Sequence, residues 1–326
     1  MKAPRFTNFQ SFVVQFFVVL SFLFFSGCSK EFEEQNKLAV ENEQKGNYDL
    51  AIEHFSKAIE LKPTVALTYN SRGMIYFKAA KYAKAIKDFD KAIELNVSFA
   101  QAYNHRGLAK NNLNQYQDAI IDFDRALKID SNYTEAYNNL GVAQLNLQQY
   151  QKALFNFNKA IKLDSNFYLA FNNCGLVNYK LKKFPEAVKD FDSAIKLHPK
   201  FSDGYFNRGL IFLDWGKNQK AINDFTTVIK MNPKNAKAYN HRGLAKFNLK
   251  KYQSALADFN KAIKLNSSLQ SAISNKKNTQ KIITLQKKII VAKKVRLKKV
   301  VKKKKQMTYD EDENEGRDVH YYSDDE

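Results

Sequence analysis

Five histidines (His54, His105, His198, His241 and His320) and three aspartate pairs (Asp88/Asp90, Asp122/Asp124 and Asp190/Asp192) are the side chains of this chain best suited to chemistry. A metal would need histidines at a ligand spacing, and these are scattered. Acid–base work needs carboxylates that converge, whereas an i, i+2 pair points to different faces of a helix. A phosphate cradle needs glycines gathered in one loop, and here they fall singly within helical stretches. The two cysteines, Cys28 and Cys174, make no disulfide framework. Cys174 stands where other repeats carry Leu or Arg and reads as a buried thiol. The expectation is a chain without catalytic residues, metal, cofactor or small-molecule substrate.

The elements that place these side chains are a repeat. One 34-residue phrase recurs seven times without insertion, over 32–65, 66–99, 100–133, 134–167, 168–201, 202–235 and 236–269. A fixed period of this length predicts a stacked array that binds through an extended surface. Counting phases from Phe32, Ala66, Ala100, Thr134, Tyr168, Ser202 and Ala236, two helices are predicted per repeat. In the second, phase 20 is Ala51, Ala85, Ala119, Ala153, Ala187, Ala221 and Ala255, and phase 24 is Phe55, Phe89, Phe123, Phe157, Phe191, Phe225 and Phe259. With a small residue at phase 27 they share one buried stripe. In the first helix, phase 4 is aromatic (Tyr69, Tyr103, Tyr137, Phe171, Tyr205, Tyr239) and phase 8 is Gly73, Gly107, Gly141, Gly175, Gly209 and Gly243. A helical Gly costs about 0.5–1 kcal/mol against Ala. Close helix approach, with Gly as hole and Phe as knob, is the compensation expected.

An aromatic residue, Gly, Ala, Phe and a second small residue, then Pro at phase 32 (Pro63, Pro199, Pro233), resemble the tetratricopeptide repeat signature. The resemblance covers residues 32–269. It implies an all-α, right-handed superhelical solenoid of seven helix-turn-helix repeats, closed by a C-terminal capping helix. Lys182, Gln148 and Lys250 stand at phase 15, where the family carries a turn Gly and this chain keeps Gly46 and Gly216. Arg at phase 7 (Arg72, Arg106, Arg208, Arg242) occurs with Asp at phase 23 (Asp88, Asp122, Asp224, Asp258), and Leu38 and Leu140 occur with His54 and Asn156. Cys174 with Asp190 breaks the correlation. An ion pair between the two helices of a repeat is predicted.

In this family the first helices line a groove. Carried over, phase 5 gives Asn36, Asn70, Asn104, Asn138, Asn172 and Asn240, interrupted by Phe206. An amide both donates and accepts, so the row could bond an extended guest backbone, or serve packing. Beside it lie Met74, Leu108, Val142, Leu176, Leu210 and Leu244 at phase 9, and Phe77, Leu145, Tyr179, Leu213 and Phe247 at phase 12. The implied partner is a peptide segment of another protein. Lys237 is the one basic residue at phases 2 and 5, which disfavours a clamp for a C-terminal carboxylate.

Residues 1–28 read as an address. Lys2 and Arg5 precede a Phe- and Val-rich run that ends in Phe25-Ser26-Gly27-Cys28. A basic start, apolar core and small-residue site make an export signal. The end resembles the bacterial lipoprotein signal, with Phe25 in place of the usual Leu, and implies lipidation of Cys28 and anchorage outside the cytoplasm, in the periplasm or outer membrane. An uncleaved anchor over 6–27 is the alternative.

The formal charge of +20 is uneven: residues 270–305 carry fourteen basic residues and no acidic one, and 306–326 are acidic overall. Leu269 to Ile283 is expected to cap the array. Segment 270–306 runs from that cap into Lys287–Lys305, too self-repelling for a stable lone helix, and 307–326 reads as a disordered acidic tail. The basic segment could meet anionic lipid, its own acidic tail, or nucleic acid, the last at odds with export. As an anion binder it offers a second functional reading, with the repeats as spacer.

Overall fold

A computed structural model describes residues 29–315, and among them the chain forms fifteen helices and no strand. They divide into two compact units, one reaching to His198 and one beginning at Pro199. In the first unit the odd-numbered first helices are α1 (residues 29–44), α3 (Ala66–Lys78), α5 (Ala100–Asn112), α7 (Thr134–Asn146) and α9 (Tyr168–Lys180). Their partners are α2 (Tyr48–Leu61), α4 (Tyr82–Leu95), α6 (Tyr116–Ile129), α8 (Tyr150–Leu163) and α10 (Phe184–Leu197). The second unit holds α11 (Ser202–Asp214), α12 (Asn218–Met231), α13 (Ala236–Asn248), α14 (Tyr252–Leu265) and α15 (Gln270–Glu315). Within each unit a helix packs chiefly on its neighbours in sequence, and first helices also touch the next first helix. That is the contact pattern of stacked hairpins.

The stack is built by one packing step, repeated. Phe123 is fully buried, and a Cβ placed on Gly107 would lie 2.6 Å from its Cε1. Gly73 meets Phe89, Gly141 meets Phe157, Gly209 meets Phe225 and Gly243 meets Phe259 in the same way. Rings also reach the following repeat: Phe123 packs with Leu140 and Ala143, and Phe157 with Cys174 and Val177. One side chain therefore closes its own hairpin and docks the next. The phase 20 alanines, Ala85, Ala119, Ala153, Ala187, Ala221 and Ala255 among them, are all fully buried, because a larger residue there would separate the helices.

The turns between paired helices put phase 15 in the left-handed region. Gly46 and Gly216 take it at φ 78° and 74°, but Ala80, Asn114, Gln148, Lys182 and Lys250 take it at φ 56–61°. For a residue with a Cβ this costs about 1–2 kcal/mol, which the docking of the two helices offsets.

Two expectations about the C-terminus are corrected. The start of α15 does pack on α13 and α14, burying Ala272 and Thr279. The helix does not stop there: it runs through the Lys-rich stretch and into the acidic one, to Glu315. No Gly or Pro lies between Gln270 and Glu315, and Gly316 follows. Once docked residues have nucleated a helix, each added residue costs little, and this outweighs like-charge repulsion among the lysines. Residues 316–326 lie outside the described residues, as do residues 1–28 with Cys28. Among the described residues no helix is long and apolar enough to cross a membrane.

Candidate functional site: the open face of the first helices

From α3 onward each first helix buries phases 3, 8 and 10 and leaves phases 2, 6, 9 and 13, spaced along one stripe, half-buried or exposed. In the first unit this stripe holds Leu67 (62% exposed) and Leu169 (36%) at phase 2. Met74, Leu108, Val142 and Leu176 are half-buried at phase 9, and Lys78, Asn112, Asn146 and Lys180 are exposed at phase 13. The continuous apolar row is phase 9, with Leu67 and Leu169 beside it at its two ends and polar groups around it, Gln101 and Glu135 at phase 2 among them. In the second unit Leu210 and Leu244 continue the phase 9 pattern, also half-buried.

The asparagine row does not face outward. Asn70, Asn104, Asn138, Asn172 and Asn240 are 3–7% exposed, and their amides are engaged within the stack. The partner is phase 6 of the next repeat, 35 residues on. Asn139 donates to the Asn104 carbonyl oxygen at 2.9 Å, Asn173 to Asn138 at 2.8 Å and Asn275 to Asn240 at 3.1 Å, while His105 Nδ1 pairs with Asn70 at 2.9 Å. Asn104 also donates to the Tyr133 hydroxyl at 3.2 Å. The row thus stitches one first helix to the next, and a guest backbone would find these groups already satisfied. The phase 6 residues went unread in the sequence, although the run of polar pairs at that separation was visible there.

Where Phe206 interrupts the row, the stitch fails. His241 packs edge-on against Phe206 and stacked on Phe225, and its Nδ1 is a buried polar atom without a hydrogen-bond partner. Burial pushes the His241 ring below its usual range, and pushes His105 down to about 4. A histidine depressed in the folded state keeps its contribution above the unfolded pKa of about 6.5 and loses it as pH falls through the folded value. His105→Asn, which copies Asn139, is therefore expected to remove about 2 kcal/mol of the stability lost between about pH 7 and pH 4. Urea unfolding of both proteins across that window checks it; parallel pH profiles would show the ring contributes nothing.

The phase 12 aromatics are half-buried and pack along their own turns rather than presenting a free wall. Phe77 meets Tyr82 at 5.4 Å, Phe247 meets Tyr252 at 5.3 Å and Tyr179 meets Phe184 at 6.2 Å between ring centroids. Away from the open face, the phase 7 correlation resolves into contacts. Arg72, Arg106, Arg208 and Arg242 each bond both carboxylate oxygens of Asp88, Asp122, Asp224 and Asp258 at 2.6–3.0 Å. The third guanidinium nitrogen reaches back one repeat, from Arg72 to Ser56, Arg106 to Asp90 and Arg242 to Thr226. Asp190, with Cys174 opposite, accepts from Asn178 at 2.7 Å instead, and burial raises its pKa. Burial also pushes the Cys174 thiol up to about 12, so it rests protonated.

A family described as "Tetratricopeptide repeat" matches residues 66–99, 100–133, 134–167 and 236–269, and a related one described as "TPR repeat" matches 44–80 and 209–250. The chain belongs to the tetratricopeptide repeat family. Tetratricopeptide repeat proteins are in general protein-interaction scaffolds, and their fold is typically non-catalytic. Solved structures agree on the fold. A tetratricopeptide repeat protein from Parabacteroides merdae is 20% identical with a TM-score of 0.61, over 77% of this chain and 99% of that one. A chain of the APC/C hetero-tetramer Cut9-Hcn1 is 16% identical with a TM-score of 0.62, over 71% of this chain and 48% of that one. Pseudomonas aeruginosa pilF is 17% identical with a TM-score of 0.55, over 70% of this chain and 99% of that one. No curated protein sequence matches this tetratricopeptide repeat chain.

Proposed function

We propose that this chain is a non-catalytic scaffold that holds peptide segments of other proteins against the open face of its first helices. The apolar strip carries the reading: Leu67 and Leu169 are exposed beside the half-buried Met74, Leu108, Val142 and Leu176, with no element laid over them among the described residues of the first unit. Solvated apolar side chains in a row, rimmed by Lys and Asn, suit a segment whose own apolar residues recur along its length. Because the asparagine row is spent within the stack, selectivity rests on side-chain packing rather than on a backbone ladder. Leu67→Lys with Leu169→Lys is expected to weaken capture of a crosslinked partner at least about tenfold while leaving the unfolding transition in place. Undiminished capture by that variant would refute the reading.

The same proposal places the scaffold at a membrane outside the cytoplasm, tethered through lipidated Cys28. Its support is the basic start, apolar core and Ser26-Gly27-Cys28 site of the sequence. Fatty-acid label is expected on the wild-type chain and absent from Cys28→Ala; label on both, or on neither, argues for the uncleaved anchor or for no anchor.

A further inference from the structure

The stripe of α15 that docks on α13 and α14 does not end where the stack ends. At 3.6 residues per turn, Ile290, Leu297 and Val301 fall on the same side of the helix as the buried Ala272 and Thr279, with Ile289 and Val300 at the edge of that side. Up to Ile283 that side is covered; from residue 284 to 305 every residue is exposed. These five aliphatic side chains are 47–65% exposed. Around them, residues 287–305 carry ten lysines, one arginine and no acidic residue. Most of the lysines lie off the stripe, while Lys293 and Lys294 fall within it, where a long side chain can lay its methylenes along the apolar face and extend its charge outward.

We infer that the distal half of α15 is an interfacial helix that lies on an anionic bilayer surface. Both halves of its chemistry are needed for that occupant. The apolar stripe enters the headgroup boundary, and the cationic flanks meet lipid phosphates. Nucleic acid would use only the second half. Residues 287–305 hold no aromatic side chain to stack on a base and no Asn or Gln to read one, and Arg296 is their single guanidinium. A second copy of this stretch would bring two strongly cationic rods together. The inference is independent of the groove reading, because it uses no first-helix residue. It gives the chain a surface contact that would hold the second unit against the lipid.

The chain from Ser29 to Glu326 contains every described helix and serves for the test. It is sedimented with vesicles of phosphatidylcholine alone, and of phosphatidylcholine mixed with phosphatidylglycerol. Association is expected with the mixed vesicles only. Ile289→Ala, Ile290→Ala and Leu297→Ala together keep helix propensity and should weaken it at least about tenfold. Lys294→Gln, Lys298→Gln and Lys302→Gln together should weaken it as much. Val295→Ala, about 140° round the helix from Ile290, should leave it nearly unchanged. Binding that survives the first triple variant would mean charge adsorption alone and overturn the inference. So would tighter binding to an oligonucleotide than to the mixed vesicles at equal salt.

Discussion

Phe123→Ala is expected to destabilise the stack by about 3–5 kcal/mol, and the sign of Gly107→Ala should then reverse. In the wild-type background the new Cβ at residue 107 would stand 2.6 Å from a ring that is fully buried and held by Leu140 and Ala143. The ring cannot withdraw without pushing the next repeat, so overpacking should cost about 1–3 kcal/mol. Once the ring is gone the clash is gone, and the ordinary preference of a helix for Ala over Gly should return about 0.5–1 kcal/mol. A double-mutant cycle read by urea unfolding therefore predicts strong coupling between two residues that share no polar contact. Equal effects of Gly107→Ala in both backgrounds would show that the glycine has some other purpose. Because hairpins can open singly in such an array, hydrogen exchange of α5 and α6 should accompany the bulk measurement.

The contrast between what the chain declares and what it conceals follows from this packing. Gly107 and Phe123 recur at fixed phases because they meet each other inside one repeat, so hole and knob can both be read there, although the ring also packs with Leu140 and Ala143 of the next. Asn104 also recurs at a fixed phase, but its contact, with Asn139, is made to the following repeat. The phase shows which side of a helix a residue occupies and leaves open what covers it; hence the row reads equally well as an offer to a guest. Phe206 and His241 display the rule by breaking it together. The long basic helix departs from its local pattern for a different reason. Repulsion among Lys287–Lys305 is a local quantity, whereas the nucleus that supports the helix is the docking of Ala272 and Thr279, several turns earlier.

Arg106→Leu should cost about 2–4 kcal/mol by itself, yet far less when accompanied by Lys110→Gln and Asp122→Asn. The Asp122 carboxylate is 2% exposed and is held by Arg106 at 2.6 Å and by Lys110 at 2.8 Å. Removing the guanidinium leaves one buried carboxylate with a single cation and frees Asp90 from its partner across the repeat boundary. The Arg106 guanidinium also lies 5.4 Å above the Tyr103 ring, a contact that leucine can only partly replace. Repeat 4 shows how the same three places are filled without charge. Leu140, Gln144 and Asn156 occupy them, and Asn156 donates to the Gln144 carbonyl oxygen at 2.8 Å. The triple variant writes that solution into repeat 3, so its stability should come within about 1 kcal/mol of wild type, with a weaker dependence on salt. A triple variant as unstable as Arg106→Leu alone would mean that the ion pairs are not interchangeable with the neutral set. Arg106 would then owe its charge to the bridge it makes to Asp90 of the preceding repeat, rather than to the pair within its own.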